Sequence, residues 1–316
     1  MSLRASTVYS RFSVNVKEAR REGGKLLEAT KGAALSIKPV DAEFRFEKPP
    51  SLQLTFDGLV APVGLSGRLE SLNLYTNPVI PKRVDQVVED LDIKAGDAIW
   101  ELYSLGLDNY YITRLLSLGM LGKRNSRKIV PTRWAITAVD KLLGDRQLRK
   151  VKHASEIQQL QVHYVEYIGN RYILILAPGS WAFEVIEIWL PGSVWVNAAE
   201  PYLTVNYELW EGKARYPEAG GGYYAIRLPV LEYLSRIGRC ATVVAIREVT
   251  PRYYAPVGSW QIRESVRSAL SSNPVYLGNA KELVTWIRER IEVSVETVIN
   301  ASNVLEQLLK PGVKLL

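Results

Sequence analysis

The stretch RKIVPTRWAITAVD at residues 127–140 has the residue types and spacing of a phosphate-binding site. Proline disfavours helical backbone in the residue before it and threonine is a favourable N-cap, so a helix should run from Arg133 to Leu143, with Thr132 as its cap behind Pro131. The N–H groups of a first helical turn attract anions, and guanidinium groups bind phosphate through paired hydrogen bonds. The residues predicted to bind a phosphate here are Arg124, Arg127, Lys128, Thr132, Arg133 and Thr137.

The opposing interpretation treats the same stretch as an ordinary surface loop followed by a core helix. Arg133 and Asp140 lie on one polar side of the predicted helix, so they could form an ion pair while the loop cations stay solvated. The apolar side packs into the core in either case, and Gly144 is expected just past the helix end at Leu143. The two interpretations differ in whether a phosphate meets the exposed cations.

Two later clusters suggest similar chemistry: the second sequence cluster is residues 220–227 and the third is residues 247–264. Glycines before a helix let the backbone approach a ligand closely, and arginines bind phosphate, so both clusters are candidate parts of one phosphate site. The residues predicted for this role are Gly221, Gly222, Tyr223, Arg227, Arg247 and Arg263. Glu248 and Glu264 are the candidates for an acid–base residue or a metal ligand. A flexible glycine turn and an ion pair between Arg247 and Glu248 are the structural alternatives.

Basic residues are concentrated in one segment of the chain. The 316 residues carry a net charge of +7, and residues 121–152 alone contain ten basic and two acidic residues. A basic stripe on a nearly neutral body is typical of a surface that binds DNA or another polyanion, although a solvated helical face has the same composition. The charge distribution therefore predicts DNA or a nucleotide as the partner.

The composition also narrows the class of protein. No apolar run approaches the roughly 20 residues that cross a bilayer, and the N-terminus lacks the apolar region of a secretory signal, so we expect a cytoplasmic protein without a membrane partner. One cysteine, Cys240, and two histidines predict no zinc site, and the cofactor is unknown; a metal, if used, would be a divalent cation held by carboxylates. The low methionine and cysteine content suits a thermophile.

The order of predicted helices and strands indicates an α+β fold, with a helical N-terminal half, an antiparallel β meander and C-terminal helices packed on the sheet. Residues 1–80 are predicted to be an irregular segment packed on the body, and residues 81–158 a basic helical region. Alternating β-branched and aromatic residues predict a mixed sheet–helix core over residues 159–275. Residues 276–316 should form a long C-terminal helix that Asn279 caps, and all four regions should form one compact unit.

Four long blocks of the sequence form an unusual and ordered pattern. They are RKIVPTRWAITAVD at 127–140, SWAFEVIEIWLPGSVW at 180–195, GGGYYAIRLPVLEYL at 220–234 and VVAIREVTPRYYAPVGSWQIRESVRSAL at 243–270. Together they resemble the archaeal Nre family of DNA-repair proteins, over roughly residues 50–270. The resemblance implies a role in repairing damaged DNA and, in many members, a C-terminal motif that docks on the sliding clamp.

The chain departs from that family pattern at both ends. Residues 306–316 have lysine at the aliphatic position of a clamp-binding motif and no aromatic residue after it, so clamp binding is not expected. No cysteine precedes Cys240, so an N-terminal metal-binding knuckle is not expected either. The leading hypothesis is a DNA-repair protein that binds nucleic-acid backbone or a nucleotide phosphate through the basic helix start. A nucleotide or phosphoester hydrolase and a non-catalytic scaffold for other repair proteins are the alternatives, and whether the protein is an enzyme is left open.

Overall fold

The structure of the protein is a computed structural model. It describes residues 24–49, 51–57, 60–66, 69–193, 199–212, 220–254 and 258–310, and it describes no side chain between residues 51 and 69. The chain divides into two compact units, the first formed by Met1–Phe56 with Pro62–Leu143 and the second by Asp57–Ala61 with Gly144–Leu316. The α+β class predicted from the sequence is confirmed, whereas the predicted division into four regions stays a prediction.

The first unit combines short strands with helices. Its helices are α1 (Lys25–Leu35), α2 (Lys82–Glu89), α3 (Ala95–Ser104), α4 (Asn109–Ser117) and the first part of α5 (Thr132–Val151). Strand β1 (Ala42–Phe46) pairs antiparallel with β4 (Leu69–Leu74), and β2 (Ser51–Asp57) pairs with β3 (Val60–Ser66). The prediction of an irregular N-terminal segment is corrected here, because four short strands form between residues 42 and 74. The predicted turn residues Pro50, Gly58 and Gly67 lie outside the described residues.

Helix α5 is longer than the sequence predicts, because Gly144 does not end it. The helix continues to Val151, and a Cβ at Gly144 would lie only 2.9 Å from Nη1 of Arg227. Glycine commonly follows the end of a helix, but here its missing side chain gives room to a buried arginine. The predicted helix end is therefore wrong, and the glycine has a packing role instead.

A six-stranded mixed sheet forms the centre of the second unit. Its strands are β6 (Leu160–Tyr167), β7 (Asn170–Ala177), β8 (Ala182–Trp189), β9 (Tyr202–Glu208), β11 (Thr242–Val249) and β12 (Val275–Leu277), in the order β12-β6-β7-β11-β8-β9. The antiparallel pairs β6–β7 and β8–β9 of the expected meander are present. Strand β11 lies between them, antiparallel to β7 and parallel to β8. Two short strands, β5 (Ser155–Glu156) and β10 (Arg239–Cys240), form a separate parallel pair. The sequence also predicts a strand at SVWV, residues 193–196, and all of it but Ser193 lies outside the described residues.

Helices cover both faces of this sheet. One face packs on α6 (Gly221–Ile237) and α7 (Gly258–Ser271), around buried residues such as Phe183 and Ala245. The other face packs on α8 (Ala280–Arg288), α9 (Val295–Ala301) and α10 (Leu305–Leu308), around residues such as Ile186. Because side chains alternate along a strand, neighbouring residues of β8 and β11 belong to different faces. None of the helices that the structure describes is long and apolar enough to cross a bilayer.

Two buried carboxylates explain why the C-terminal segment is three short helices and not the predicted long one. Glu248 accepts hydrogen bonds from the backbone N–H groups of residues 292 and 293, and Glu184 accepts them from residues 303–305. These N–H groups would bond within a continuous helix, so the carboxylates stabilise the two interruptions instead. The predicted cap at Asn279 is present at the start of α8.

Candidate nucleic-acid interface

The loop that precedes helix α5 has a fixed conformation, because it bonds to the end of helix α4. The N–H of Val130 donates to the carbonyl of Ser117 at 2.9 Å, and the Ser117 hydroxyl donates to the carbonyl of Val130 at 2.9 Å. Gly119 has a φ of +69°, and a Cβ there would lie 2.8 Å from the carbonyl carbon of Lys128. Glycine at this position therefore allows both the turn and the close approach of the loop.

Arg127, a predicted phosphate ligand, also helps to fix the conformation of this loop. Its Nε donates to the carbonyl of Gly122, its Nη1 to that of Val88 and its Nη2 to that of Asp90, each at 2.7 Å. Burial lowers the pKa of Arg127, while the charge of Asp90 opposes that shift. All three nitrogen atoms of the guanidinium group bond to the backbone, so Arg127 fastens the loop to the C-terminal end of α2.

The other cations around the helix start face solvent. Exposed side chains without an ion-pair partner among the described residues are Lys94, Lys123, Arg124, Lys128 and Arg133. The alternative pairing of Arg133 with Asp140 is absent from the structure, because Asp140 is buried and accepts a hydrogen bond from Asn109 at 3.4 Å. Thr137 donates to the carbonyl of Arg133 at 3.2 Å. These cations are therefore free to meet a ligand.

The start of α5 provides backbone donors next to these cations. The helix begins with Thr132, and the carbonyl of Pro131 accepts hydrogen bonds from the N–H groups of Trp134 and Ala135, at 2.9 and 3.2 Å. Thr132 is thus the first helical residue and not the predicted cap. Within the described ranges the N–H groups of Thr132 and Arg133 have no hydrogen-bond partner, so both can donate to an anion.

A pocket of about 500 Å³ lies beside this helix start. We call it the Trp134 pocket, and its lining residues are Lys94, Ala95, Leu116, Leu121, Gly122, Lys123, Ser126, Lys128, Val130, Trp134, Ala135 and Ala138. The lining includes three lysines and no acidic residue among those described, while most of the remaining lining is apolar. Such a pocket combines a positive potential with a surface that suits an apolar or aromatic group.

Arg247, predicted as a phosphate ligand in the second unit, lies in the interior. Its Nη1 bonds to Glu187 at 2.7 Å, and its Nε and Nη2 bond to the Asn170 side chain at 3.0 and 2.7 Å. The guanidinium group also lies 6.0 Å from the ring centres of both Tyr172 and Trp189. Burial alone would lower the pKa of Arg247, but Tyr172 and Glu187 outweigh it and raise the pKa. The cation is therefore fully engaged inside the protein.

Arg227 is engaged in the same way. Its Nε donates to Glu208 at 2.8 Å and its Nη1 donates to Asp145 at 3.0 Å. The same Glu208 oxygen accepts a hydrogen bond from Nε1 of Trp181 at 2.9 Å. Burial would lower the pKa of Arg227, but Glu208 outweighs it and raises the pKa. Two carboxylates thus occupy this arginine.

The second and third sequence clusters come together on one face of the sheet. A Cβ on Gly222 would lie 3.0 Å from Oε1 of Glu187, the carboxylate that pairs with Arg247, so the start of α6 packs against that ion pair. Gly221 is the first residue of α6, and Tyr223 and Arg263 are buried. Burial and Glu208 raise the pKa of Tyr223. The two clusters together form a packed group of polar side chains in the protein interior.

The two candidate catalytic carboxylates do not share a site. Glu248 faces the C-terminal helices and bonds to Arg171 at 2.8 Å as well as to backbone N–H groups. Glu264 lies on α7, which covers the opposite face of the sheet, and pairs with Arg267 at 2.9 Å. Both carboxylates therefore have structural partners. Among the described residues, no group of three or more histidine, cysteine or acidic side chains could hold a metal ion.

The predicted site residues include neither the buried acids Glu187 and Glu208 nor two lysines of the pocket, Lys94 and Lys123. Glu187 and Glu208 are buried within β-strands, and a buried charge usually requires a partner. That pattern could have identified both residues as ion-pair partners. Lys94 could not be found in this way, because it joins the pocket from the start of α3, far from Lys128 in sequence.

Comparison with known protein families accounts for nearly the whole chain. The family model described as "Archaeal Nre, N-terminal" matches residues 1–196, and the model described as "Archaeal Nre, C-terminal" matches residues 208–312. The chain belongs to the archaeal Nre family. The resemblance seen in the sequence is thereby confirmed.

Three Nre relatives show how far the similarity extends. The chain is 39% identical over 290 residues to the DNA repair protein NreA of Archaeoglobus fulgidus, a match that covers 92% of this chain and 73% of the relative. It is 39% identical over 296 residues to the DNA repair protein NreA of Haloferax volcanii, covering 92% and 70%. It is 31% identical over 307 residues to the DNA repair protein NreB of Archaeoglobus fulgidus, covering 97% and 77%. No solved structure matches the chain.

Proposed function

We propose that this Nre-family protein acts in DNA repair and binds the phosphates of nucleic acid around the Trp134 pocket. We call the cations of this surface the basic rim, which consists of Lys94, Lys123, Arg124, Lys128 and Arg133. The observation that carries the proposal is that all five are exposed and have no ion-pair partner in the described part of the chain. The relatives named as DNA repair proteins support the process.

The physical basis is attraction between phosphate and several unpaired cations beside a helix start. Exposed cations that approach phosphates release counterions from the nucleic acid, which favours binding and makes it sensitive to salt. The free N–H groups of Thr132 and Arg133 add two oriented donors for one phosphate. By contrast, Arg227 and Arg247, which a nucleotide hydrolase would need for phosphate, already bond to carboxylates. No contact in the described residues favours that alternative.

The direct test is DNA binding measured by fluorescence anisotropy over a range of salt concentrations. Replacing the three rim lysines that line the pocket (Lys94→Gln, Lys123→Gln and Lys128→Gln) removes up to three phosphate contacts. The slope of log affinity against log salt should then decrease by about 2, and affinity near 0.1 M salt should fall about a hundredfold.

A charge-matched control separates a site from general electrostatic attraction. Lys25→Gln, Lys38→Gln and Lys281→Gln change the net charge by the same amount at exposed positions that do not line the pocket. This control should retain nearly all of the wild-type affinity. Equal losses in the two triple variants, or no DNA binding by the wild type, would refute the proposed surface and favour a non-catalytic scaffold.

The repair role is tested in the organism from which the gene comes. Deleting the gene should increase sensitivity to a DNA-damaging agent, and the wild-type gene should restore survival. The rim triple variant should fail to restore survival while its protein level stays normal. Full restoration by that variant would separate the repair role from the basic rim.

A further inference from the structure

We propose that the Trp134 pocket binds one unpaired base of a nucleic-acid strand, stacked on the indole of Trp134. The inference rests on the proposed function, because the basic rim would hold the phosphates on either side of that base. It goes further by naming the ligand as a single strand, or a base turned out of a duplex, instead of paired DNA.

Trp134 has the features of a stacking platform. Its side chain is 62% exposed, although a large aromatic side chain usually gains stability by burial. Its ring has no aromatic or cation–π partner in the part of the chain that the structure describes. Tryptophan in this state, beside unpaired cations, is typical of proteins that stack the bases of single strands.

The size and lining of the pocket fit a base. Its volume of about 500 Å³ lies within the range of roughly 300–1,000 Å³ that is common for small-molecule sites. The side chains of Leu116, Leu121 and Ala138 line it together with Trp134, so a planar base would exchange water for apolar contacts. A base within a duplex is already stacked on both sides and cannot enter such a pocket, so the ligand must be unpaired or extruded.

The charges around the pocket favour a nucleotide over an apolar peptide side chain. Lys94, Lys123 and Lys128 line the pocket, and no acidic residue is among its described lining residues. A base carries phosphates on both sides along its strand, so its entry would place anions close to these lysines. An apolar side chain of a partner protein would fill the cavity but leave the lysines without a counterion.

The pocket is also held in shape before a ligand arrives. Arg127 fastens the loop that carries Lys123 and Lys128, and Val139 is buried in the core on the same helix as Trp134. Preformed sites lose less conformational entropy on binding than sites that must become ordered.

The test uses the full-length protein and a labelled single strand that carries one 2-aminopurine. Trp134→Ala should weaken single-strand binding by about 5- to 150-fold, the range observed when a base loses one stacking partner. The slope of log affinity against log salt should not change, because no charge is removed. Stacking should quench the 2-aminopurine fluorescence with the wild type and with Trp134→Phe, but not with Trp134→Ala.

Two further measurements make the result specific. Ala138→Leu, which reduces the space in the pocket, should also prevent the quenching, while Trp260→Ala, at an exposed tryptophan outside the pocket, should have no effect. A fully paired duplex of the same sequence should bind with the same affinity to the wild type and to Trp134→Ala.

The possible outcomes distinguish this inference from the proposed function. If the wild type binds DNA with a steep salt dependence and Trp134→Ala binds the single strand equally well, the base pocket is refuted and the basic rim survives. If the wild type does not bind DNA at all, both fail. If a peptide from a repair partner, and no strand, competes for Trp134, the occupant is a protein and the inference is overturned.

Discussion

Arg247 in the second unit and Lys128 in the first are both cations that the sequence predicts as phosphate ligands, yet their surroundings are opposite. Arg247 is buried and bonds to Glu187 at 2.7 Å. Lys128 is exposed and has no ion-pair partner among the described residues. A buried charge depends on its partner, because removing one member leaves the other unpaired in a medium of low polarity. An exposed cation contributes little to folding and remains available to bind a ligand.

Residue type and local spacing do not separate these two roles. The second-unit arginines hold strands and helices together, whereas the basic rim has no such structural duty. Substitutions in the two regions should therefore affect different measurements, stability in the first case and nucleic-acid affinity in the second.

The largest loss of stability is expected from Arg247→Met. Glu187 would remain buried without its cation, which should lower the free energy of unfolding by about 3–5 kcal/mol. Chemical denaturation followed by circular dichroism measures this change. The double variant Arg247→Met/Glu187→Gln removes both charges and should recover much of the loss. If the single variant were as stable as the wild type, the ion pair would not support the fold.

A smaller but more discriminating contrast involves the neighbours Arg127 and Lys128. Arg127→Ala removes three hydrogen bonds from a charged donor to backbone carbonyls and should cost about 2–3 kcal/mol of stability. Lys128→Ala should leave stability within about 0.5 kcal/mol of the wild type and lower the salt slope of DNA binding by about 0.7–0.9. Denaturation and anisotropy on both variants test this contrast, and the reverse assignment of effects would contradict it.

A still smaller effect is expected at Gly144, inside helix α5. Glycine-to-alanine changes within helices usually stabilise by up to about 1 kcal/mol, but a Cβ at Gly144 would force Nη1 of Arg227 to move. Gly144→Ala should therefore increase neither the free energy of unfolding nor the melting temperature. Gly96→Ala is the control, because its Cβ would make an ordinary contact at 3.5 Å with Leu142. A gain at both sites would show that Arg227 moves freely.

A pH-dependent effect is expected at His163. Burial lowers the pKa of His163, although its hydrogen bond to the carbonyl of Ala269 opposes the shift. The unfolded chain, with an ordinary histidine pKa of about 6.5, then binds a proton more readily than the folded protein. Stability should consequently fall as pH drops below about 6.5, by at most about 1.4 kcal/mol per pH unit. Denaturation at several pH values should show this slope in the wild type and in His153→Gln, but not in His163→Gln.

Much of the fold follows from local patterns in the sequence. The antiparallel pairs β6–β7 and β8–β9 and the cap at Asn279 match the predictions, because alternation and capping act between near neighbours in the chain. The strand order could not be predicted, since pairing of β11 with both β7 and β8 depends on long-range packing. The length of α5 was missed for the same reason: Gly144 contacts Arg227, a residue far along the chain.

The candidate site was predicted only in part. The basic loop and the helix start could be recognised because they lie within one short segment. The structural role of Arg127 could not be recognised, since two of its three hydrogen-bond acceptors are the carbonyls of Val88 and Asp90, at the end of an earlier helix. Likewise, Arg247 and Glu248 point to opposite faces of the sheet, so their adjacency in sequence gave no guide to their partners.

The position of β11 has a consequence for synthesis of the chain on the ribosome. Strands β7 and β8 are made long before Thr242–Val249, the strand that joins them, and both then have an unpaired edge. Unpaired edges of apolar strands are prone to associate with other chains. The second unit therefore cannot complete its sheet until most of the protein has left the exit tunnel, and chains cut short before Thr242 should aggregate and not fold into a smaller domain.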